Sequence, residues 1–454
     1  MRRSATLRAC LAALVIGLLA ASAAMAQVAG LYYQEVEKDG RIYVFNTPEK
    51  YKAWQESGDM GTAITLISRG PNGETVVAEN ETAADLYFFK HNLPGYERPT
   101  PKAGTPEFSI SYKDGKTTID TKAARISFQN RFQGRYTLVD PEVGDSVGSM
   151  RIRRFHTIFE GTAYKVWKAK LQVNWTGTDT VTDVTQSGTT VSRSRIRGPV
   201  LDDAEIQWAR YPLATVWVGQ GKIFFGRQEL TSDTRLQFVD RSIASERFAP
   251  KRDQGLALIG QDRLKHFEYQ VGVYNGNGPN QAANDNKDYA QAARLVWTPL
   301  GEFKLEDSSL DDPATPLVAI GGAVFLNTTG TGTGERDVER YGVEAAFKVK
   351  GLNMVGEYYT ETVDPLVGAN ADTDGWYYQL GYLFPNKKFE LAGRYSLISP
   401  DVTGPSRDQT ETGVAASWYF DKHVHKLQAD YRKLEDDFRN SEDNEFRVQL
   451  QLVF

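Results

Sequence analysis

From Lys122 onward the chain repeats one pattern. Segments of about ten residues, in which apolar and polar side chains alternate, are separated by breaks rich in Gly, Asp and Asn. Successive side chains of a strand point to opposite faces, so each segment reads as a strand with one apolar and one polar wall. In the last, Phe446, Val448, Leu450, Leu452 and Phe454 alternate with Arg447, Gln449 and Gln451; only Val453 breaks the alternation. Such segments fall near 122–132, 150–161, 164–175, 201–211, 213–224, 254–262, 266–275, 288–298, 317–327, 338–349, 352–362, 374–384, 387–398, 410–420, 423–434 and 444–454, an even count of about sixteen. Ile126, Phe128 and Phe132 oppose Arg125, Ser127, Gln129 and Arg131; Trp167, Ala169, Leu171, Val173 and Trp175 oppose Lys168, Lys170, Gln172 and Asn174. The segment 150–161 defies assignment, because Arg151, Arg153 and Arg154 occupy both faces. Short breaks such as Pro385-Asn386 and Asp421-Lys422 alternate with long polar ones at 176–198, 276–287 and 328–337. Only a closed barrel places a sheet in lipid without unpaired edges. The predicted fold is therefore all-β, a transmembrane antiparallel β-barrel of about 16 strands over 107–454, with short turns on the periplasmic side and long loops outside.

The stretch 27–106 follows a different rhythm. Arg41 to Phe45 reads as a strand, and Thr47-Pro48 opens a helix that stops at Gly58. Ala63 to Ser68 and Thr75 to Ala78 flank Pro71-Asn72-Gly73 as a hairpin, and Asn80 caps a second helix carrying Leu86, Phe88 and Phe89. This is a small mixed α/β unit, expected first as a periplasmic domain beneath the pore, with a plug or a docking module for another envelope component as the alternatives. Pro94, Pro99, Pro101 and Pro106 then mark an extended linker.

Composition narrows the class. At 41% hydrophobic residues the 454-residue chain is too polar for a bundle of membrane helices, whereas a barrel with a wet interior dilutes its lipid-facing residues by half. Arg2, Arg3 and Arg8, the apolar run Leu11 to Ala20, and Ala24-Met25-Ala26 make residues 1–26 a signal peptide. Cys10, the sole cysteine, goes with it, so the exported chain has no disulfide or thiolate chemistry. Losing three arginines takes the net charge from -5 to about -8, which excludes nucleic acid as the expected partner. The histidines His91, His156, His266, His423 and His425 accompany no nucleophile motif, and His423 and His425 read as a strand edge. No catalytic, metal or cofactor site is predicted.

The longest break follows the fifth strand. Residues 225–254 carry Arg227, Arg235, Arg241, Arg247, Lys251 and Arg252 beside Glu229, Asp233, Asp240, Glu246 and Asp253. A loop that folds into a wide barrel narrows it, and charges around the narrowing select the permeating ion. The phrases Val218-Gly219-Gln220-Gly221-Lys222, Asp240-Arg241-Ser242, Phe248-Ala249-Pro250 and Lys251-Arg252-Asp253-Gln254-Gly255, with Arg153-Arg154 and Phe159-Glu160-Gly161 earlier, resemble the phosphate-selective porin O and P family over about 122–454. The resemblance implies a sixteen-stranded homotrimeric barrel in the bacterial outer membrane, whose inward-folded third loop forms an anion-binding constriction lined by arginine and lysine. It implies passive diffusion of small anions, phosphate among them; a non-selective porin and a structural or adhesive barrel of little conductance are the alternatives. The candidate pore cations are Arg125, Arg131, Lys168, Lys170, Lys222, Arg241, Arg247, Lys251 and Arg252, with most weight on Lys222 and Arg241, inside the matching phrases.

Overall fold

The computed structural model describes residues 32–95, 108–186 and 189–454. The signal peptide and most of the proline-rich linker lie outside the described residues. The chain divides into two compact units, Met1–Thr105 and Pro106–Phe454.

The first unit is a four-stranded sheet ordered β1-β2-β4-β3 with two helices. β1 (Gln34–Lys38), absent from the sequence reading, pairs with β2 (Arg41–Phe45), which runs parallel to β4 (Thr75–Ala78); β3 (Ile64–Leu66) pairs antiparallel with β4. Helix α1 (Pro48–Ser57) ends on Gly58, whose φ of 72° is the left-handed cap that glycine adopts without strain. In α2 (Glu81–Lys90) the Ala83 N–H donates to the Asn80 side chain, as the capping pattern requires. Tyr87 and Phe88 of α2 are buried beside Val44 and Val76, while Phe89 faces outward.

The second unit is a closed antiparallel barrel of sixteen strands. In order these are β7 (Ala124–Pro141), β8 (Val147–Ala163), β9 (Trp167–Gln186), β10 (Thr189–Tyr211), β11 (Ala214–Lys222), β12 (Arg252–Gln261), β13 (Phe267–Tyr274), β14 (Ala290–Trp297), β15 (Leu317–Thr329), β16 (Arg336–Val349), β17 (Leu352–Pro365), β18 (Ala371–Leu383), β19 (Phe389–Pro400), β20 (Gln409–Asp421), β21 (His425–Asp436) and β22 (Ser441–Val453). Each pairs with the next, and β22 closes on β7 with Phe446 opposite Leu138 and Leu452 opposite Phe132. A preceding hairpin, β5 (Phe108–Lys113) and β6 (Lys116–Thr121), continues the sheet where β22 stops: Ile119 of β6 pairs with Ile126 of β7.

Burial is inverted relative to a water-soluble sheet. Arg447, Gln449 and Gln451 of β22 are buried, whereas Phe446, Leu450 and Phe454 are exposed. Glu344 and Lys348 of β16 are buried against exposed Tyr341 and Val343. Lipid solvates the outer apolar wall, and the polar wall faces the lumen.

Three features depart from the sequence expectation. At 150–161 a β-bulge lies opposite Gln133 and Gly134, so that Gln133 pairs with Arg154 and Gly134 with Ile152. Arg153 is the extra residue, which explains why adjacent arginines broke the alternation. The break 176–198 is not a loop, because β9 and β10 run on as one long hairpin. Conversely, 298–316, between β14 and β15 and thus at the short-turn end, is long and folds inward: Glu306, Asp307, Ser308 and Ser309 are all buried.

Candidate functional site

Between β11 and β12 the chain leaves the wall for residues 223–251, hereafter L3, which carries helices α3 (Arg227–Leu230) and α4 (Ile243–Phe248). Gly226 starts the inward fold. Its φ is 75°, and a Cβ there would meet Glu357 Oε2 and the Tyr359 hydroxyl at 3.3 Å, so both conformation and space call for glycine. Glu357, on β17, accepts the Arg227 and Gln228 N–H groups at 2.6 and 2.7 Å, capping α3. Phe225 and Phe248 stack on Tyr359 with centroids 6.0 and 5.3 Å away.

The rest of L3 is bound to the wall formed by β19–β21. Ile243 N–H donates to Glu411 (2.9 Å) and Ala244 N–H to Ser396 Oγ (3.2 Å). Val239 N–H donates to Asp430 (3.0 Å), while Lys426 and Gln428 donate to the Leu236 carbonyl at 3.0 and 3.1 Å. Segment 298–316 supports L3 from the turn end: Asp307 N–H donates to the Arg235 carbonyl (3.1 Å) and Arg227 to the Lys304 carbonyl (2.8 Å).

The face of L3 toward β7–β11 encloses a cavity of about 410 Å³ lined by charge of both signs. Arg131, Lys170, Lys222, Arg241, Lys251 and Arg252 converge there, six of the sequence-named candidates. Arg125, Lys168 and Arg247 do not line it. Arg125 pairs with Asp120 of β6 at 2.6 Å, Lys168 is exposed nearer the turn end of β9, and Arg247 is held by Glu361 of β17 at 3.2 and 2.5 Å. Arg153, Arg154, His156, Asp202 and Asp203 also line it, although none was named as a candidate. The break in alternation at Arg153-Arg154 was the available signal, since a bulge re-aims side chains.

The cations form a linked network with the acids. Lys170 and Arg252 meet on Asp203 at 2.6 and 2.7 Å, Arg154 meets Asp233 at 2.9 Å, and Arg135, Arg154, Arg153 and Arg447 surround Asp240 at 2.5 to 3.5 Å. Burial pushes the Glu229 carboxyl up, but the charges of Arg241, Lys222 and Lys251 prevail and hold it down at about 2. Burial likewise opposes ionisation of Asp233 and Asp240, and the surrounding guanidinium groups pull both well below the usual carboxylate range. Lys222 and Arg241 have a second commitment. Arg241 donates to the carbonyls of Gln228 (2.9 Å), Glu229 (3.2 Å) and Thr231 (2.9 Å), and Lys222 donates to those of Glu229 and Thr231, so both clamp the first turn of L3.

The model of the family described as phosphate-selective porin O and P matches residues 126–315 and 319–454. The chain belongs to this family. Among curated protein sequences none matches. Solved structures similar in fold include the anion-selective porin from Comamonas acidovorans (10% identity, TM-score 0.51, covering 73% of this chain and 100% of that one). Salmonella typhi OmpF, solved with daunomycin, is similar to the same degree (13%, TM-score 0.51, 76% and 100%). The protein is thus a bacterial outer-membrane protein, and its sixteen-stranded barrel, with L3 folded inward, forms a porin channel.

Proposed function

We propose that the channel passes small anions, phosphate among them, by passive diffusion, with a moderate anion preference set where L3 faces β7–β11. One observation carries this reading: around that cavity three of the eight lysines and arginines stand forward of a less exposed carboxylate. Lys251, Arg153 and Lys170 have side chains 40%, 32% and 32% exposed, whereas Glu229 beside Lys251 and Asp203 beside Lys170 are each 4% exposed and Asp240 beside Arg153 is 17% exposed. At Lys170, Arg153 and Lys251 a passing ion meets a cation before Asp203, Asp240 or Glu229. Glu160 and Glu246 are the exposed exceptions, which keeps the preference moderate. The test is the reversal potential of the purified protein in a planar bilayer under a potassium chloride gradient. Chloride should be preferred; a potential on the potassium side refutes the selectivity and leaves the barrel intact.

A homotrimer is supported by the outer wall. On the lipid face, Asn130 accepts from Thr157 (2.8 Å), which accepts from Trp175 (2.9 Å). A polar set is costly against hydrocarbon and is at home in a subunit interface. Beside it, Gly161, Ala169, Ala204 and Gly219 form the floor of a concavity rimmed by Ile126, Phe159, Leu171, Ile206 and Val218. For the N-terminal unit we propose a periplasmic place and a docking role, since it follows the export signal and precedes the first barrel strand.

A further inference from the structure

Three cations make no ion pair within 4.0 Å among the described residues, with Asp307 and Glu306 acting on Arg227 and Arg235 only from further away. Arg227 and Arg235 of L3 and Lys304 of segment 298–316 line a second cavity, of about 280 Å³, bounded by residues of β12–β14 and the turns at their ends. The other lining charges are satisfied: Arg294 forks onto Glu344 at 3.0 and 2.6 Å and meets Glu268 at 3.5 Å, and Lys265 pairs with Glu302 at 2.8 Å. Among the described residues no carboxylate lies within 4.0 Å of the side-chain nitrogens of Arg227, Arg235 or Lys304. Arg227 is only 1% exposed. Its guanidinium lies 4.6 Å from the Phe303 ring centre and gives one N–H to the Lys304 carbonyl, yet its buried Nε has no partner. A buried charged donor left unpaired is costly, and the usual resolution is an acceptor in the adjoining space.

We propose that this cavity is an oxyanion subsite separate from the constriction, in which Arg227, Arg235 and Lys304 hold a small multivalent oxyanion of the phosphate class. Two guanidinium groups and one ammonium suit such a ligand, because planar forks bind paired oxygens and lysine adds a point charge. The subsite shares no lining residue with the cavity at β7–β11. Its existence does not depend on the sign of selectivity there, and binding can be read without current.

The experiment is equilibrium binding of inorganic phosphate to the full-length protein, folded in detergent at neutral pH. The native chain should bind phosphate, and Arg235→Ser with Lys304→Ser should weaken that binding by about tenfold or more, the scale of losing one good charged contact. Lys168→Ser, at an exposed position of β9 that lines neither cavity, should leave it within about twofold of native. Heat-modifiable migration verifies folding of each variant, and Arg235→Gln with Lys304→Gln replaces the serine pair if that pair fails to fold. No phosphate binding by the native chain, binding unchanged by the Arg235 and Lys304 substitutions, or loss only with Lys170→Ser and Lys251→Ser, at the constriction, would overturn the proposal. The last of these leaves the anion channel standing without the subsite.

Discussion

At the scale of single residues, exposure separates cations that meet the ion from those that hold the loop. Lys170 projects forward of Asp203, and Lys251 stands forward of Glu229 beside the similarly exposed Glu246, while Lys222 and Arg241 are engaged with L3 carbonyls. A unit charge about 4 Å from an ion is worth about 1 kcal/mol even in water, roughly a fivefold change in occupancy. Lys170→Glu with Lys251→Glu should therefore move the reversal potential strongly toward potassium without enlarging the pore. Arg241→Glu should instead release L3 and raise conductance; single-channel recording distinguishes the two. The loop's acid response follows from Glu229. Its folded carboxyl is held at about 2, below the ordinary range, so its stabilising contribution is complete above that range and is lost as pH falls toward about 2. The exclusion limit for neutral polymers should be the same at pH 4 as at pH 7, and an increase at pH 4 would show that the loop is not held by a carboxyl as depressed as that of Glu229. The outward and inward faces were legible from alternation alone, as Ile126, Phe128 and Gln129 illustrate. The commitments of Lys222 and Arg241 were not, because backbone carbonyls presented by a folded loop have no signature in residue type.

At the scale of elements, L3 is held by acceptors that the barrel wall supplies. Replacing Glu357 by alanine strands the Arg227 and Gln228 N–H groups, at a cost of about 1–3 kcal/mol for each buried donor left unpaired. Glu357→Ala should give a larger and noisier conductance with the barrel still folded; unchanged current would mean that α3 needs no cap. Sixteen alternating segments were readable because lipid on one side and water on the other impose period two on every strand that crosses. Where a strand leaves the membrane that pressure ends, so the continuation of β9 and β10 through 176–198 read as loop. Segment 298–316 was missed for a different reason. Its inward fold depends on contacts far apart in sequence, such as Asn353 donating to the Asp307 carbonyl and Ser308 to Glu390.

At the scale of the whole molecule, L3 and segment 298–316 fill the lumen against β16–β21, which leaves the charged cavity beside β7–β11. Ser396 on β19 is buried behind L3, whereas Lys170 on β9 stands in the cavity. Hairpin β5–β6 completes the edge of β7 beyond the end of β22. Removing 108–121 should lower the temperature at which the folded form converts on a gel, since it leaves Arg125 to Phe128 without sheet partners on that side. An unchanged transition would show the hairpin to be dispensable. The most direct test of the route uses the lack of any cysteine after Cys10. In separate Lys170→Cys and Ser396→Cys proteins, a negatively charged methanethiosulfonate reagent should cut the single-channel current of the first and leave the second unaffected; block at position 396 with position 170 indifferent would contradict the account.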